Sequence, residues 1–379
     1  MKNIQLALYA LLTLAFASCQ PNPSVTDTDG HNLWFHSLDA KGMSLSPEKT
    51  TRGIAMHEIN TYWKLEQAVE LSQLTPTDES LGKEGYRLTF SPSTIQVEAN
   101  SDLGLLYGVY DLLRRQETGN LIQEGIINEV PAYQYRVLNH WDNPDLSVER
   151  GYAGNSLWKW EQLPDTLSPV YEEYARANAS IGINCTVLNN VNADPIMLTT
   201  DYLYKVKALA DIFRPYGLKV YISINFASPK RIGGLNTSDP LDKNVIEWWN
   251  KKAEEIYSII PDFGGFLVKA NSEGQSGPQD YGRTHADGAN MLADAVKPFG
   301  GIIMWRAFVY DAKADDSLQQ VCGNGGHAGV EDLHGPFLGH LFFRGPQGGG
   351  GEAQSQHMVG QQLQPDGAVA PEEGGIEHF

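Results

Sequence analysis

The apolar and polar positions change rhythm twice along the chain. Between residues 33 and 131 the pattern is mixed. HEINTYWKLEQAVELSQL predicts a helix, and GYRLTFSPSTIQVEA predicts two short strands about a Ser-Pro-Ser turn. SDLGLLYGVYDLLRRQ opens on an Asp-bearing cap and places Leu105, Leu106, Val109, Leu112 and Leu113 on one helical stripe. These elements predict a small α+β unit. From 132 to 316 strand and helix alternate: YRVLNHW, INCTVLNN, LKVYISINF, FGGFLVKA and GIIMWRAFVY read as strands, with helical patterns between them. The strands are near-continuous apolar runs, the mark of a parallel sheet covered by helices. Polar residues gather where the strands end, and no G-x-G-x-x-G turn follows the first strand. Both features favour a (β/α)8 barrel over a doubly wound sheet. The fold class expected is therefore α/β, an incomplete TIM barrel of about five β/α units behind a small α+β domain.

After 316 the rhythm is lost. The text from 317 to 379 is Gly-rich, Arg344 is its only Lys or Arg, and no helical or strand period lasts. Such a segment buries too little apolar area to offset its ordering entropy. It predicts a disordered tail, or text displaced by a frame slip near Asp316; the abrupt change of character favours the second. Its histidines (His327, His334, His340, His357, His378) fit no metal-site spacing, so no metal is expected.

Composition narrows the class. The 379 residues suit two domains, and 46 acidic against 28 basic side chains give a formal net charge of −18. That balance argues against nucleic acid or anionic lipid as a partner. It leaves room for an anionic small ligand held by a few local cations. Residues 1–18 carry Lys2, an apolar stretch and small residues before Cys19, the pattern of a signal sequence. The Phe-Ala-Ser-Cys ending resembles a bacterial lipobox and predicts a lipid anchor on Cys19, in the periplasm or on the outer membrane. Ordinary secretion with cleavage near Ser18 is the plainer alternative. Residues 19–32 read as a polar tether. Cys185 and Cys322 make no disulfide framework.

The candidate chemistry lies at the strand ends. Alternate residues of a strand share a face, so Lys269, Asn271 and Glu273 project together if FLVKANSE stays extended. An ammonium and a carboxylate at a barrel mouth form either a structural ion pair or a working site. NHWDN, NNVN and NFASPKR end other strands, and the fifth carries Trp305 and Arg306. Amides for hydroxyls, a tryptophan for the apolar face of a pyranose and two cations suit a sugar bearing a carboxylate.

RVLNHWDNPDLSVERGYAGNSLW, INCTVLNNVNA, FLVKANSEGQSGPQDYGRTHADGANMLADA and IIMWRAFVY together resemble the bacterial α-glucuronidases of glycoside hydrolase family 67. The likeness runs from about residue 30 to 312, and EGYRLTF and GLLYGVYDLLR resemble that family's N-terminal domain. It implies a (β/α)8 catalytic domain that removes glucuronic acid, or its 4-O-methyl ether, from glucuronoxylan-derived oligosaccharides with inversion and without a cofactor. By motif, Glu273 matches the general acid, Lys269 and Arg306 match residues that contact the uronate, and Trp141 and Val191 match residues that shape the sugar pocket. The family's base region is not matched anywhere in the chain. The chain as written is therefore expected to be inactive or barely active and poorly stable, and a homodimer is expected only of a full-length form. Two rivals remain: another barrel exo-glycosidase, and a lipid-anchored glycan-binding protein without activity.

Overall fold

The computed structural model describes residues 45–307 and a strand at 340–343. The leader, Cys19, the tether and most of the region after 316 lie outside the described residues.

The first layer starts with α1 (Thr51–Tyr62), whose cap Thr50 accepts from Gly53 N at 3.1 Å. The helix expected over HEINTYWKLEQAVELSQL stops there. AVELSQ is instead β1 (Ala68–Gln73), with Val69 and Leu71 on the half-buried face. A period of two was embedded in a sequence that also scores as helical, and the sheet decided between them. Strands β2 (Tyr86–Phe90) and β3 (Thr94–Ala99) form the expected hairpin. They are followed by α2 (Asp102–Glu117) and by β4 (Gly125–Glu129), which the pattern did not predict. The sheet order is β1-β3-β2-β4, with β1 parallel to β3 and the other pairs antiparallel. Leu88, Phe90, Ile95 and Val97 on one face bury against the predicted α2 stripe.

The second sheet holds β5 (Val137–Asn139), β6 (Cys185–Val187), β7 (Lys219–Ile224), β8 (Gly265–Ala270) and β9 (Ile302–Ala307), all parallel and adjacent in chain order. Helices α3 (Pro169–Ser180), α4 (Thr200–Phe213), α5 (Lys243–Ile259) and α6 (His285–Val296) connect them. The strands sort their residues by parity. Val220, Ile222, Phe266, Val268, Ile303 and Trp305 join the large core under the helices. Cys185, Val187, Tyr221, Leu267, Ile302 and Met304 form a smaller cluster on the opposite face, with Val191 and half-buried Trp141. Two apolar faces on one curled parallel sheet make an incomplete barrel. Gly265 permits the start of β8 to approach β9: its φ is 132°, and a Cβ there would lie 1.9 Å from the Ile302 carbonyl oxygen.

His340–Phe343 is a strand, β10, antiparallel to β9. HLFF is a short apolar run, and β9 offers it an unpaired backbone edge.

The two layers are joined by a sealed ion pair. Arg176 of α3 donates to both oxygens of Glu58 on α1, at 2.6 and 2.8 Å, and both side chains are 2% exposed. The Tyr62 ring lies 4.9 Å from the guanidinium carbon. Arg136 to Glu84 at 2.7 Å and Lys49 to Glu172 at 2.6 Å add pairs along the same seam.

Candidate functional site

The inward face of the sheet changes from apolar to charged at its C-terminal end. Leu267 and Met304 are followed two residues later by Lys269 and Arg306, which sit opposite each other in the β8–β9 register. Lys269 is 2% exposed, and its ammonium donates to Asn192 Oδ1 at 2.8 Å and to Glu273. The Arg306 guanidinium carbon lies 5.8 Å from the centre of the Trp141 ring, a cation–π distance.

Glu273 reaches Lys269 by a different path from the one expected. Strand β8 ends at Ala270, so Lys269, Asn271 and Glu273 do not share an extended face. Asn271 (φ 51°), Glu273 (φ 49°) and Gly274 (φ 79°) are left-handed, and Ser272 bridges to Gln275. This tight turn brings Glu273 back over the residue four positions earlier. Asn271 is turned into the loop. Its amide donates to Asp280 at 2.9 Å, and its carbonyl accepts from Gln279 N at 3.1 Å. The four non-glycine residues with positive φ among the described residues are Leu146, Glu149, Asn271 and Glu273, on the two loops that follow β5 and β8. Unfavourable backbone concentrated at one rim is a feature of functional sites.

The β5 loop supplies a residue that the sequence reading passed over. Arg150 donates to Glu273 Oε1 at 2.9 Å, the carboxyl oxygen that Lys269 does not take, and is 57% exposed where Glu273 is 45% exposed. Hydrogen bonds from Lys269, then from Arg150, hold the Glu273 carboxyl below its ordinary range. Glu149, next to Arg150, has a side chain only 9% exposed. Its Oε1 is 3.4 Å from Arg150 Nε, and its Oε2 is buried with no hydrogen-bond partner among the described residues. The only sequence signal was a Glu-Arg pair ahead of Gly-Tyr-Ala-Gly in the loop after the first barrel strand.

The asparagines predicted to meet sugar hydroxyls mostly knit the loops together. Asn189 exchanges hydrogen bonds with the Ser223 backbone, and Asn143 and Asn190 both donate to the Glu149 carbonyl. Strands that stop at a rim leave backbone groups unpaired, and side-chain amides satisfy them. Asn139 Oδ1 differs, being buried without a partner among the described residues. Trp305, weighed as a platform, faces the helices, where it donates to His285 Nδ1 at 3.1 Å. Val191 is fully buried in the inner cluster beside Trp141. His140, next to Trp141 in the segment after β5, is held through Asp142 at 3.4 Å on one ring nitrogen and Tyr174 at 2.7 Å on the other.

Residues 115–337 match the model of the glycosyl hydrolase family 67 middle domain. The chain belongs to glycosyl hydrolase family 67. Residues 28–128 match glycosyl hydrolase family 20, domain 2. Among curated proteins, the chain is 48% identical to the probable alpha-glucuronidase A of Aspergillus clavatus over 61% of its own length and 27% of that protein's. It is 44% identical to alpha-glucuronidase A of Emericella nidulans over 60% of this chain and 27% of that one. For the Aspergillus terreus relative, a probable alpha-glucuronidase A, the identity is 38% over 80% of this chain and 36% of that protein. The matched part is thus between about a quarter and just over a third of these relatives' length.

Proposed function

We propose that this family 67 chain is α-glucuronidase machinery, acting on the α-1,2 link between (4-O-methyl)glucuronic acid and xylo-oligosaccharides with inversion. One observation carries the reading. A buried lysine and an arginine stand side by side at the sheet's C-terminal end, with a half-exposed glutamate folded back onto the lysine. In this reading Arg306 grips the uronate carboxylate in a planar fork and Lys269 adds a point charge. Trp141 and Val191 form a wall of the pocket, and Asn139 offers an acceptor to a hydroxyl. Asn271 serves by holding the loop that carries Glu273. No cofactor is invoked.

Glu273 is the general acid in this scheme, and an acid must carry a proton. The free site holds it ionised. The substrate's own carboxylate eases the conflict by drawing Lys269 away, which removes the larger of the two influences holding Glu273's pKa down. Inversion also needs a second carboxylate to activate water. We match no residue of the chain to it, and turnover by these 379 residues is expected to be slight or nil. The protein is placed at the cell envelope or outside the cell, with Cys19 as its anchor, and dimerisation is assigned to a full-length form only.

A second reading has support of its own. A Glu273 that stays ionised between two cations suits a glycan-binding protein without turnover. Calorimetry with glucuronic acid, together with product analysis on aldouronic oligosaccharides and N-acetylhexosaminides, separates the readings. Binding of glucuronic acid with release of glucuronic acid supports the enzyme, and binding alone supports the second reading. Preference for N-acetylhexosaminides would overturn both.

A further inference from the structure

The sequence motif accounts for one cation on Glu273, but the structure shows two. Withdrawing Lys269 leaves Arg150 at 2.9 Å, and a carboxylate paired with a guanidinium is still a poor acid. Something must also move Arg150, and the residue before it is placed to do so. Glu149 Oε1 is already 3.4 Å from Arg150 Nε, just too far for a good hydrogen bond. Its Oε2 is buried with no hydrogen-bond partner among the described residues, an arrangement that is costly for a carboxylate. The Glu149 backbone is fixed in the left-handed region, its N–H donating to Trp141 O at 2.8 Å and its carbonyl accepting from Asn143 and Asn190. A fixed, under-satisfied carboxylate thus lies within reach of an exposed arginine that has donors left over.

Resting on the uronate reading above, we propose that Arg150 is a positioning residue with two berths, Glu273 in the empty site and Glu149 when an acidic sugar is bound. Binding brings a carboxylate to Lys269 and Arg306. Glu273 then loses its lysine, Arg150 closes the short gap to Glu149, and Glu273 takes up a proton from solvent. No covalent bond changes in this step: one proton moves onto Glu273 and one ion pair is exchanged for another. The charged groups around Glu273 are Lys269 on β8, Arg306 one strand over, Arg150 and Glu149 on the β5 loop, and Asp280 in its own loop, where it holds Asn271. Glu149 is therefore more than a structural acid, since it sets where the arginine rests.

Proton linkage reads this directly. Glucuronic acid is titrated into the whole chain near pH 6 in two buffers of different ionisation enthalpy. The unaltered chain should take up a proton on binding. Glu149→Gln keeps the shape of the side chain but weakens the second berth, so uptake should fall to about half or less while glucuronic acid still binds. In an Arg150→Ala background, Glu149→Gln should change nothing further. Equal uptake in the Glu149→Gln variant and the unaltered chain overturns the inference while leaving the uronate reading intact. So does an equal effect of Glu149→Gln with and without Arg150. Failure of the unaltered chain to bind glucuronic acid overturns the uronate reading, and this inference with it.

Discussion

Arg176–Glu58 and Lys269–Glu273–Arg150 are built from the same chemistry and do opposite things. In the first, both partners are sealed at the seam between the two layers, and the carboxylate takes two donors from one guanidinium. In the second, one sealed lysine and one exposed arginine share a half-exposed carboxylate whose loop is conformationally unfavourable. A buried pair with a single arrangement fixes architecture. A rim cluster with a surplus of cations over its one shared carboxylate keeps alternatives open, and an incoming anion can choose among them.

The sharpest way to break this contrast is to remove one arginine from each cluster. Arg176→Ala leaves Glu58 buried without its partner and should lower stability by about 3–5 kcal/mol in a denaturant titration. Arg150→Ala, at an exposed position, should leave the denaturation midpoint unchanged. A similar loss in both variants would make the rim cluster structural. A smaller change tests the rim's purpose. Lys269→Ala should weaken glucuronic acid binding about tenfold or more. It should also move the Glu273 carboxyl upward toward its ordinary range, read by carboxyl-carbon NMR.

The smallest effect concerns an intermediate case. Asp142 is buried like Glu58, but its partners are hydroxyl, backbone and histidine groups. Burial pushes its carboxyl up, yet hydrogen bonds from His140, Ser156 and the Leu157 backbone outweigh that and hold it below the usual range. A carboxyl depressed in the folded state adds stability above its unfolded pKa, near 4, and loses it as pH falls through the lower folded value. Asp142→Asn should therefore flatten the acid limb of the stability curve without altering its neutral plateau by as much as Arg176→Ala does.

How much of this was readable in advance depended on whether neighbours or distant contacts decided the outcome. The α2 stripe and the parallel apolar strands are local patterns, and they appear where the periodicity placed them. AVELSQ is a strand because β3 pairs with it, a long-range fact that helix propensity does not contain. Lys269 and Arg306 lay on alternating positions of clear strands, so their shared face could be read. Glu273 was found by type and motif, but its route to Lys269 runs through left-handed residues that an extended reading misses. Arg150 escaped notice because loop closure, not period, brings it there. The rim asparagines were over-read as ligand contacts because the unpaired backbone they satisfy exists only once the strands have ended.

The central claim is that Lys269 and Arg306 together recognise the carboxylate of a sugar. Calorimetric comparison of glucuronic acid with glucose, which has a neutral hydroxymethyl group in place of that carboxylate, tests it most directly. The account predicts measurable binding of glucuronic acid by the unaltered chain, weakened about tenfold or more in Lys269→Ala, and none of glucose. Equal binding of the two sugars, or binding of glucuronic acid unaffected by Lys269→Ala, would contradict it.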